Sequence, residues 1–386
     1  MTLNDRLVQM RRHIHRYPEL GYKEVKTASY LAEILRSEGI EIRENVGGTG
    51  LVATIIGASP GRTIALRADM DALPVYEKTG KSYSSSIPGV SHVCGHDAHS
   101  AMLVGAALLL QKNRRQIAGT VKCIFQAAEE CPPLGGVRPM IEDGVLDNPS
   151  VDAIYALHVT PDLPLGKLGI APGLAMAASD RVEIKILGSG GHGSAPQQTV
   201  DAILVASHVV VALQSIVSRN TTPHVPAVLS IGVARAGYRY NVIADTAFLD
   251  CTVRTIDSHT RQLMQDRIEQ IVEGVTMAMG ARYELRYTAG YPPAANYAAQ
   301  VEQVVQAAEA VLGESSVKLL ERPSLTGEDF AHFLERIPGA FFWLGSRLGD
   351  GHKQHPAHHP GFDLDEAVLP LGTAIFCQII EQELSR

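Results

Sequence analysis

The chain has 386 residues, which is longer than one hydrophobic core usually grows, so we expect two domains. Hydrophobic residues make up 45% of it and charged residues 19%, as in ordinary soluble globular proteins. Its 41 acidic and 34 basic residues give a net charge of −7, and no basic block could follow a phosphate backbone. This composition argues against a nucleic-acid partner.

The N-terminal segment MTLNDRLVQMRRHIHRYPEL lacks the apolar core of a signal peptide, and no stretch approaches 18 uninterrupted apolar residues. The five cysteines are odd in number and irregularly spaced, which argues against a disulfide framework. We therefore expect a cytoplasmic protein with no membrane partner. A cysteine with a role would then be a metal ligand or a reactive thiol.

The first part of the chain alternates predicted helices and strands. Amphipathic helices are predicted over about 3–16 and 24–38, and the apolar runs LVATIIG and TIALRAD predict buried strands. A helix is then predicted for HSAMLVGAALLLQKN and two strands for GTVKCIFQA and VDAIYALHV. This alternation predicts an α/β sheet covered on both faces, in which functional groups lie just beyond the strand ends.

The pattern changes near residue 180. From RVEIKILG onward the predicted order is strand, helix, two strands, helix and strand, which is the ferredoxin-like order. We therefore predict that a domain of residues 180–291 is inserted between residues 1–179 and 292–386, with hinges at APGLAMAAS and AGYPPAAN. After the insertion, helices are predicted for VEQVVQAAEAVLG, GEDFAHFLERI and DEAVLPLGTAIFCQIIEQEL, and a strand for AFFWLGS.

Five segments concentrate metal-ligand and acid–base residue types, four of them at predicted strand ends. They are RADMDALP (67–74), HVCGHDAHS (92–100), QAAEE (126–130), ALHV (156–159) and HPAHHPGF (355–362). Each segment has an ordinary alternative, such as a polar helix start, a solvated acidic pair, a hydrogen-bonded core histidine or a polar surface loop. Their joint occurrence favours a shared metal centre.

The residue types suggest a division of tasks. Cys94 and His96 can bind an ion together but supply too few ligands for a complete site. Glu129 and Glu130 follow a strand directly, so one carboxylate can bind a metal while the other acts as a general base. An aspartate of RADMDALP can orient a ligand imidazole.

Eight segments, in order across nearly the whole chain, resemble the M20 family of metallopeptidases and aminoacylases. They are RRHIHRYPELGYKE, RADMDALP, HVCGHDAHSAMLVGAA, FQAAEE, GHGSAP, NVIADTAFLDCTVRT, LTGEDFAHF and HHPGFDLDEAVL. They are most similar to its amidohydrolase branch of hippurate hydrolase-like and auxin-conjugate hydrolase-like enzymes. The resemblance implies an α/β, zinc-exopeptidase-like catalytic domain with an inserted ferredoxin-like α+β lid or dimerisation domain.

The resemblance also implies a centre of two divalent metal ions. The implied ligands are Cys94, His96, Glu130, His158 and His358. The Cys94 thiolate would bridge the ions, Glu129 would be the general base, and Asp71 would support the centre. The ligand types suit Zn²⁺, and carboxylates with a bridging position also tolerate Mn²⁺, Co²⁺ or Ni²⁺.

Three residues of the inserted region are implied by the resemblance alone. His192 of GHGSAP would reach the site of a neighbouring subunit and support an oxyanion, and Asn241 and Arg254 would bind a substrate carboxylate. Without the resemblance, His192 is a polar residue of a glycine-rich turn and Arg254 is a solvated charge at a strand end. A homodimer formed through the inserted domain is implied with them.

The implied activity is hydrolysis of the amide bond of N-acyl amino acids, hippurate-like or N-acetylated. The chain departs from many relatives at QAAEE, CPPLGG and RAGYRYNVIAD, so the resemblance does not decide whether hippurate itself is the substrate. One alternative is a dipeptidase or aminopeptidase of the same fold. Two others are a thiol hydrolase using Cys94 with His96 or His99, and a silent binding protein.

Overall fold

The structure is a computed structural model that describes residues 2–384, and regular elements cover most of that range. The helices are α1 (Leu3–Arg16), α2 (Val25–Ser37), α3 (His96–Lys112), α4 (Val137–Glu142), α5 (Ala202–Ser215), α6 (Ser258–Ala278), α7 (Ala298–Leu312), α8 (Ala331–Leu334) and α9 (Val368–Leu384). Short 3₁₀ turns lie at Arg114–Gln116 and Pro196–Gln198, and a π-helical turn lies at Ile216–Asn220.

The strands vary from two to twelve residues in length. They are β1 (Glu41–Val46), β2 (Gly50–Ile56), β3 (Ser59–Asp69), β4 (Ala118–Gln126), β5 (Ala153–Pro164), β6 (Leu168–Ile170), β7 (Leu174–Met176), β8 (Ala178–Leu187), β9 (Gly191–His192), β10 (Ala227–Ala236), β11 (Val242–Ile243), β12 (Thr246–Thr255), β13 (Arg282–Tyr291), β14 (Ala294–Ala295), β15 (Val317–Leu319) and β16 (Gly339–Arg347). Together the elements give a mixed α/β fold.

Helix α1 shows how the sequence directs a local element. Thr2 and Asp5 form a capping box, in which the Asp5 N–H donates to Thr2 Oγ1 and the Thr2 N–H donates to the Asp5 carboxylate. This arrangement satisfies two backbone donors at the start of the helix. Leu7, Met10 and Ile14 recur at helical spacing and are buried, so they form the core-facing stripe.

The described chain divides into two compact units. The first comprises the described residues up to Ala175, Ala295–Arg322 and the described residues from Asp329 onward, and the second comprises Met176–Ala294 and Pro323–Glu328. The predicted segments 1–179 and 292–386 also include residues 1, 385 and 386, which lie outside the described residues.

An eight-stranded mixed sheet is the centre of the first unit. Its strand order is β1-β2-β4-β3-β5-β16-β6-β15. Strand β3 runs parallel to β4 and β5, and β5 runs parallel to β16, whereas β1, β2 and β4 pair antiparallel. The parallel strands β4, β3 and β5 therefore end at the same edge, where Asp69 of β3 is the register partner of Gln126 of β4. The segments that follow β3 and β4 at this edge carry Cys94, His96 and Glu130.

The second unit has its own sheet and core. Its long elements follow the order β8, α5, β10, β12, α6 and β13, and the four strands form an antiparallel sheet in the order β10-β12-β8-β13. Along β12, Ala247, Leu249, Cys251 and Val253 are buried, while the residues between them are partly exposed. This alternation, with α5 and α6 packed against β12, places the core on one face of the sheet.

Several predicted elements differ from the observed ones. GEDFAHFLERI was predicted as a helix, but only the four residues of α8 are helical, and Asp329 before them accepts the Gly136 and Val137 N–H groups with its carboxylate. Strand β5 continues past His158 to Pro164. The short elements β1, β6, β15 and α4 were not predicted.

One helical segment, Ala202–Asn220, is long and apolar enough to cross a membrane, with a mean hydropathy of 1.6. Such a segment is weak evidence of a membrane span, because core helices of globular domains share these properties. Here Ala202, Val205, Val209 and Leu213 of α5 are buried in the core of the second unit.

Candidate metal centre

Cys94 and His96 lie where a loop enters α3. Gly95 is the N-cap of this helix and has a φ of +100°, which suits glycine. A Cβ on Gly95 would lie 2.4 Å from Cγ2 of Val159, so a larger residue would force a shift. The ligand atoms of Cys94, His96 and His158 lie within 4.8 Å of one another. The glycine turn therefore brings the two halves of the CGH motif to one site.

The hydrogen bonds of His96 leave one ring nitrogen available. Its Nδ1 lies 3.0 Å from the carbonyl oxygen of Asp71 and 3.2 Å from Asp71 Oδ1, so Nδ1–H donates. Its Nε2 is buried and has no hydrogen-bond partner among residues 2–384. A buried nitrogen whose lone pair accepts no hydrogen bond costs folding free energy unless a cation binds it. This arrangement fits a metal ligand.

His158 is prepared in the same way. Its Nδ1 lies 2.7 Å from the carbonyl oxygen of Val159, to which it donates, so the Nε2 lone pair remains. That Nε2 lies 3.3 Å from Cys94 Sγ. Burial lowers the pKa of His158 well below its usual range, which keeps the ring neutral and able to bind a metal.

The loop after β4 carries the two glutamates. Ala128 has a φ of +55°, an uncommon conformation for a residue with a side chain, and its N–H donates 2.8 Å to the buried carboxylate of Glu24. Glu129 is 8% exposed, and the Glu130 N–H donates 2.8 Å to Asp71 Oδ2. Backbone strain that surrounding contacts hold in place is typical of functional sites.

His358 reaches the centre from the loop between β16 and α9. It also has a positive φ, +66°, and its N–H donates 2.7 Å to the carbonyl oxygen of Val93. Its Nε2 lies 2.9 Å from Glu130 Oε1, and its side chain is 54% exposed. The adjacent His359 instead accepts the Gly361 N–H through Nδ1 at 2.9 Å.

Two groups of candidate ligands share one thiol. Cys94, His96 and His158 form the first and Cys94, Glu130 and His358 the second, each with its ligand atoms within 4.8 Å of one another. Thiolate, imidazole and carboxylate are the ligands that zinc-like divalent ions prefer. Because Cys94 belongs to both groups, the donor set fits two neighbouring ions.

The electrostatics of the donor set also favour a cation. Hydrogen bonds to Cys94 and Glu130 raise the pKa of His358 to about 10. The site thus holds an additional proton at neutral pH, which a metal ion would displace. Burial raises the pKa of the Cys94 thiol, and this argues against Cys94 as a thiol nucleophile that works without a metal.

His99 lies close by but both of its ring nitrogens are engaged. Nδ1 lies 2.6 Å from Asp69 Oδ1, and Nε2 accepts the Val159 N–H at 2.9 Å. A backbone N–H can only donate, so Nε2 is the acceptor and Nδ1 carries the proton. His99 therefore orients its neighbours and has no lone pair left for an ion or for a base.

A buried ionic cluster behind Asp69 was not predicted. Arg67 donates to Asp69 Oδ2 at 2.9 Å and to Gln126 Oε1 at 2.7 Å, and it lies 3.4 Å from Asp329 Oδ1. Asp329 also accepts the Gly136 N–H at 2.8 Å. The available signal was a charged residue, Arg67, inside the apolar run TIALRAD. The cluster joins the end of β3 to the loop that follows the glutamates.

His192 lies on the short strand β9, and Asn241 directly precedes the neighbouring strand β11. The Gly193 N–H donates 2.9 Å to the Asn241 carbonyl oxygen. The Ser194 N–H donates 3.1 Å to His192 Nδ1, so the neutral ring carries its proton on Nε2. His192 is exposed, and it therefore presents an Nε2–H donor at the surface of its unit.

Arg254 lies on β12 and is partly buried. Its Nη1 donates to Thr252 Oγ1 at 2.5 Å and to the Val253 carbonyl oxygen at 3.1 Å. It forms no ion pair with a carboxylate among the described residues, and burial lowers its pKa. The remaining guanidinium donors suit a carboxylate ligand.

The first unit therefore brings together the five predicted ligands, which are Cys94, His96, Glu130, His158 and His358. Glu129 and Asp71 lie beside them. His192, Asn241 and Arg254 belong to the second unit.

Known proteins share this sequence and fold. Residues 65–382 match Peptidase family M20/M25/M40. The N-acetyl-L-cysteine deacetylase of Bacillus subtilis (strain 168) is 41% identical over 369 residues, which cover 95% of this chain and 86% of that protein. The N-acyl-L-amino acid amidohydrolase of Geobacillus stearothermophilus is 44% identical over 291 residues, or 75% and 78% of the two chains.

A solved structure is similar as well. The Bacillus subtilis YXEP protein, a dinuclear metal binding peptidase from the M20 family, has a TM-score of 0.82 and 37% identity over 98% of this chain and 97% of that one. The similarity thus extends over the segments that carry both ligand groups. The protein belongs to peptidase family M20/M25/M40.

Proposed function

We propose that the protein is a metal-dependent amidohydrolase that cleaves the amide bond of N-acyl amino acids to a carboxylic acid and a free amino acid. The observation that carries this proposal is the pair of ligand groups sharing Cys94 beside the buried carboxylate of Glu129. The similarity to a deacetylase and an N-acyl-L-amino acid amidohydrolase supports it.

The ligands of the dinuclear centre are Cys94, His96, Glu130, His158 and His358. When bound, the ions supply Lewis acidity for the amide carbonyl and make water a better nucleophile near neutral pH. Zn²⁺ or Mn²⁺ suits this mixed donor set best, and Co²⁺ or Ni²⁺ is compatible with it. Asp71 Oδ1 accepts a hydrogen bond from His96 Nδ1–H, and Asp71 Oδ2 accepts one from the Glu130 N–H. Asp71 therefore positions two of the ligands.

Glu129 is the general base. Its ligand atom lies within 4.8 Å of those of His96 and Glu130, close enough to act on a water at the centre. Glu129 takes a proton from the attacking water and returns it to the nitrogen of the departing amine, so that it is unchanged after one cycle. The water oxygen ends in the carboxylic acid.

The second unit supplies the side chains that recognise the substrate. Its strand and helix order supports a ferredoxin-like lid, inserted as residues 180–291 between catalytic segments 1–179 and 292–386. His192 donates from Nε2–H to the oxyanion that develops on the amide carbonyl, because the Ser194 N–H occupies its other nitrogen. Asn241 and Arg254 bind the carboxylate of the amino-acid half.

The same unit carries the surface for a homodimer. Strand β10 lies at the edge of the four-stranded sheet, and Ile203, Leu204 and Val211 of α5 are 45%, 51% and 72% exposed. An open strand edge beside exposed apolar side chains is typical of an interface between copies of a chain. In the dimer, His192 serves the site of the neighbouring subunit.

All five cysteines are free thiols, which fits a cytoplasmic enzyme.

A substrate matrix tests the proposal. Metal-reconstituted protein is assayed with acetyl, benzoyl, indoleacetyl and succinyl derivatives of several amino acids, with release of the free amino acid as the readout. We expect turnover of at least one N-acyl series and its loss after chelation. Turnover confined to dipeptides with a free α-amino group would replace the proposal with the exopeptidase alternative. Metal-loaded protein inactive on every amide would contradict both.

A further inference from the structure

A second buried network lies beside the metal centre, and its residues come from the RRHIH segment of α1. Asp97, in the first turn of α3 and next to His96, is fully buried. Its Oδ2 accepts from Arg11 Nε at 2.8 Å and lies 2.7 Å from His15 Nδ1. A guanidinium is always charged, so it holds this carboxylate as an anion that can only accept hydrogen bonds.

His15 contacts a second carboxylate on its other side. Its Nε2 lies 3.2 Å from Glu77 Oε1, and the ring is buried. Arg11 Nη2 also approaches His15 Nδ1, at 3.4 Å, but the shorter contact to Asp97 decides which atom Nδ1 faces. A histidine between two carboxylates donates from both nitrogens and carries a positive charge.

Glu77 belongs to the irregular segment 74–91, which contacts the loop of His358. The Lys78 N–H donates 2.7 Å to the carbonyl oxygen of Pro360, two residues after His358. Lys81 Nζ lies 2.6 Å from Asp363. Glu77 is fixed in turn by the Ser85 N–H at 2.6 Å. A displacement of Glu77 would therefore also shift the backbone of the loop that carries His358.

We infer that His15 is a positioning residue that joins the two ligand-bearing segments of the centre, α3 with His96 through Asp97 and the His358 loop through Glu77. His358 needs such support, because its side chain is more than half exposed and its backbone has a positive φ. The inference rests on the proposed metal centre. Outer partners of metal ligands typically contribute about 10- to 100-fold in metal affinity.

Two substitutions each keep half of the bridge. In His15→Asn the amide nitrogen lies near the position of Nδ1 and can donate to Asp97 but not to Glu77. In His15→Gln it lies near the position of Nε2 and can donate to Glu77 but not to Asp97. The control is His13→Gln on the same helix, since His13 is exposed and stacks on Tyr30 at 4.0 Å.

The measurement is Zn²⁺ binding to the metal-free protein in competition with a chromophoric chelator. We expect both His15 variants to raise the apparent Kd at least about tenfold, and His13→Gln to leave it unchanged. A role in packing alone would lower the Tm of the metal-free variants and leave the Kd of the folded protein unchanged. That result would overturn the inference.

A double-mutant cycle gives a second readout. Glu77→Gln should weaken Zn²⁺ binding in the wild-type background but change it less than about twofold in the His15→Asn background, because the contact is already lost there. If the two substitutions weakened Zn²⁺ binding additively, the inferred link between Asp97 and Glu77 through His15 would be wrong. Wild-type protein that binds no Zn²⁺ would instead contradict the metal centre itself, so the two failures are distinguishable.

Discussion

The candidate groups of the two units are held in different ways. In the first unit His96 and Asp71 are 1% exposed and Asp69 is fully buried, and protein partners determine which ring nitrogens carry protons. In the second unit His192 is exposed and Arg254 has no carboxylate partner among the described residues. The candidate metal ligands are thus brought together within the first unit, whereas the candidate recognition groups of the second unit keep donors that, under the proposed function, a substrate would satisfy.

The difference has an energetic reason. Buried charges are tolerated when they are paired, and removal of one partner leaves the other uncompensated. Metal ligands must be in place before an ion binds, so their partners are supplied within the fold. Recognition groups act on a ligand that comes and goes, so pairing them permanently would remove the donors that the ligand needs. Substitutions in the two units should therefore fail in different measurements.

Glu129→Gln should have the largest effect. The amide keeps the shape of the side chain but cannot accept the proton from water, so we expect kcat to fall about 10²- to 10⁴-fold. Metal content, measured by elemental analysis, should stay at the wild-type value. Glu142→Gln, at an exposed position, is the control. Near-normal turnover of Glu129→Gln with its metals bound would exclude Glu129 as the base.

His192→Ala should have the next largest effect, and in a different unit. Loss of one oxyanion donor typically lowers kcat about 10²- to 10³-fold. Since His192 is not a predicted ligand, metal affinity should be unchanged. His208→Gln on α5, also exposed, is the control. If His192→Ala released metal or kept full kcat, the separation of tasks between the units would be wrong.

Asp71→Asn should act on metal binding before it acts on turnover. The asparagine can still face His96 with its oxygen, but its NH₂ group would then oppose the Glu130 N–H that Oδ2 accepts at 2.8 Å. We expect about 10- to 100-fold weaker metal binding, measured by competition with a chelator. Activity should return at saturating metal. The exposed Asp162→Asn in the same unit should bind metal like the wild type.

Local sequence patterns predicted much of the fold. Helical spacing predicted α1 within a residue, and apolar runs predicted β2, β3 and β4. The short strands β6 and β15, of three residues each, carry too few residues for a period to appear. The length of the helix around α8 was overpredicted, because the composition of this segment is typical of a helix. Its Asp329 instead forms hydrogen bonds with Arg67 and Gln126, which are distant in sequence.

The resemblance to the family implied the candidate ligand set, which stays a prediction, but it did not imply the contacts that support these residues. His15 and Asp97 are 82 residues apart, and Arg11 and Glu366 are 355 apart. No local pattern connects such positions. The polar residues of RRHIH were a signal that part of α1 faces other polar groups, and only the folded chain shows which ones.

Glu77→Gln should have the smallest effect on turnover, because Glu77 is neither a candidate ligand nor the proposed base, and the pH dependence of its stability tests the same contrast between the units. Burial raises the pKa of Glu77, but hydrogen bonds from His15, the Ser85 N–H and Thr79 outweigh this effect and lower the pKa from 4.5 to about 2. A lowered folded pKa stabilises the protein above the unfolded value and loses that stabilisation as the pH falls through the folded value. At pH 7 we expect the metal-free variant to have a free energy of unfolding lower by about 1.5–3 kcal/mol.

The gap between the variant and the wild type should narrow below pH 4.5, as urea denaturation at successive pH values would show. Narrowing follows because protons bind the unfolded wild-type carboxylate first, while glutamine does not titrate. Glu314→Gln, at an exposed position, should show no gap at any pH. A gap that stayed constant on acidification would mean that Glu77 is not held as an anion by His15. The network proposed to support the candidate ligands of the first unit would then lack its contact between His15 and Glu77.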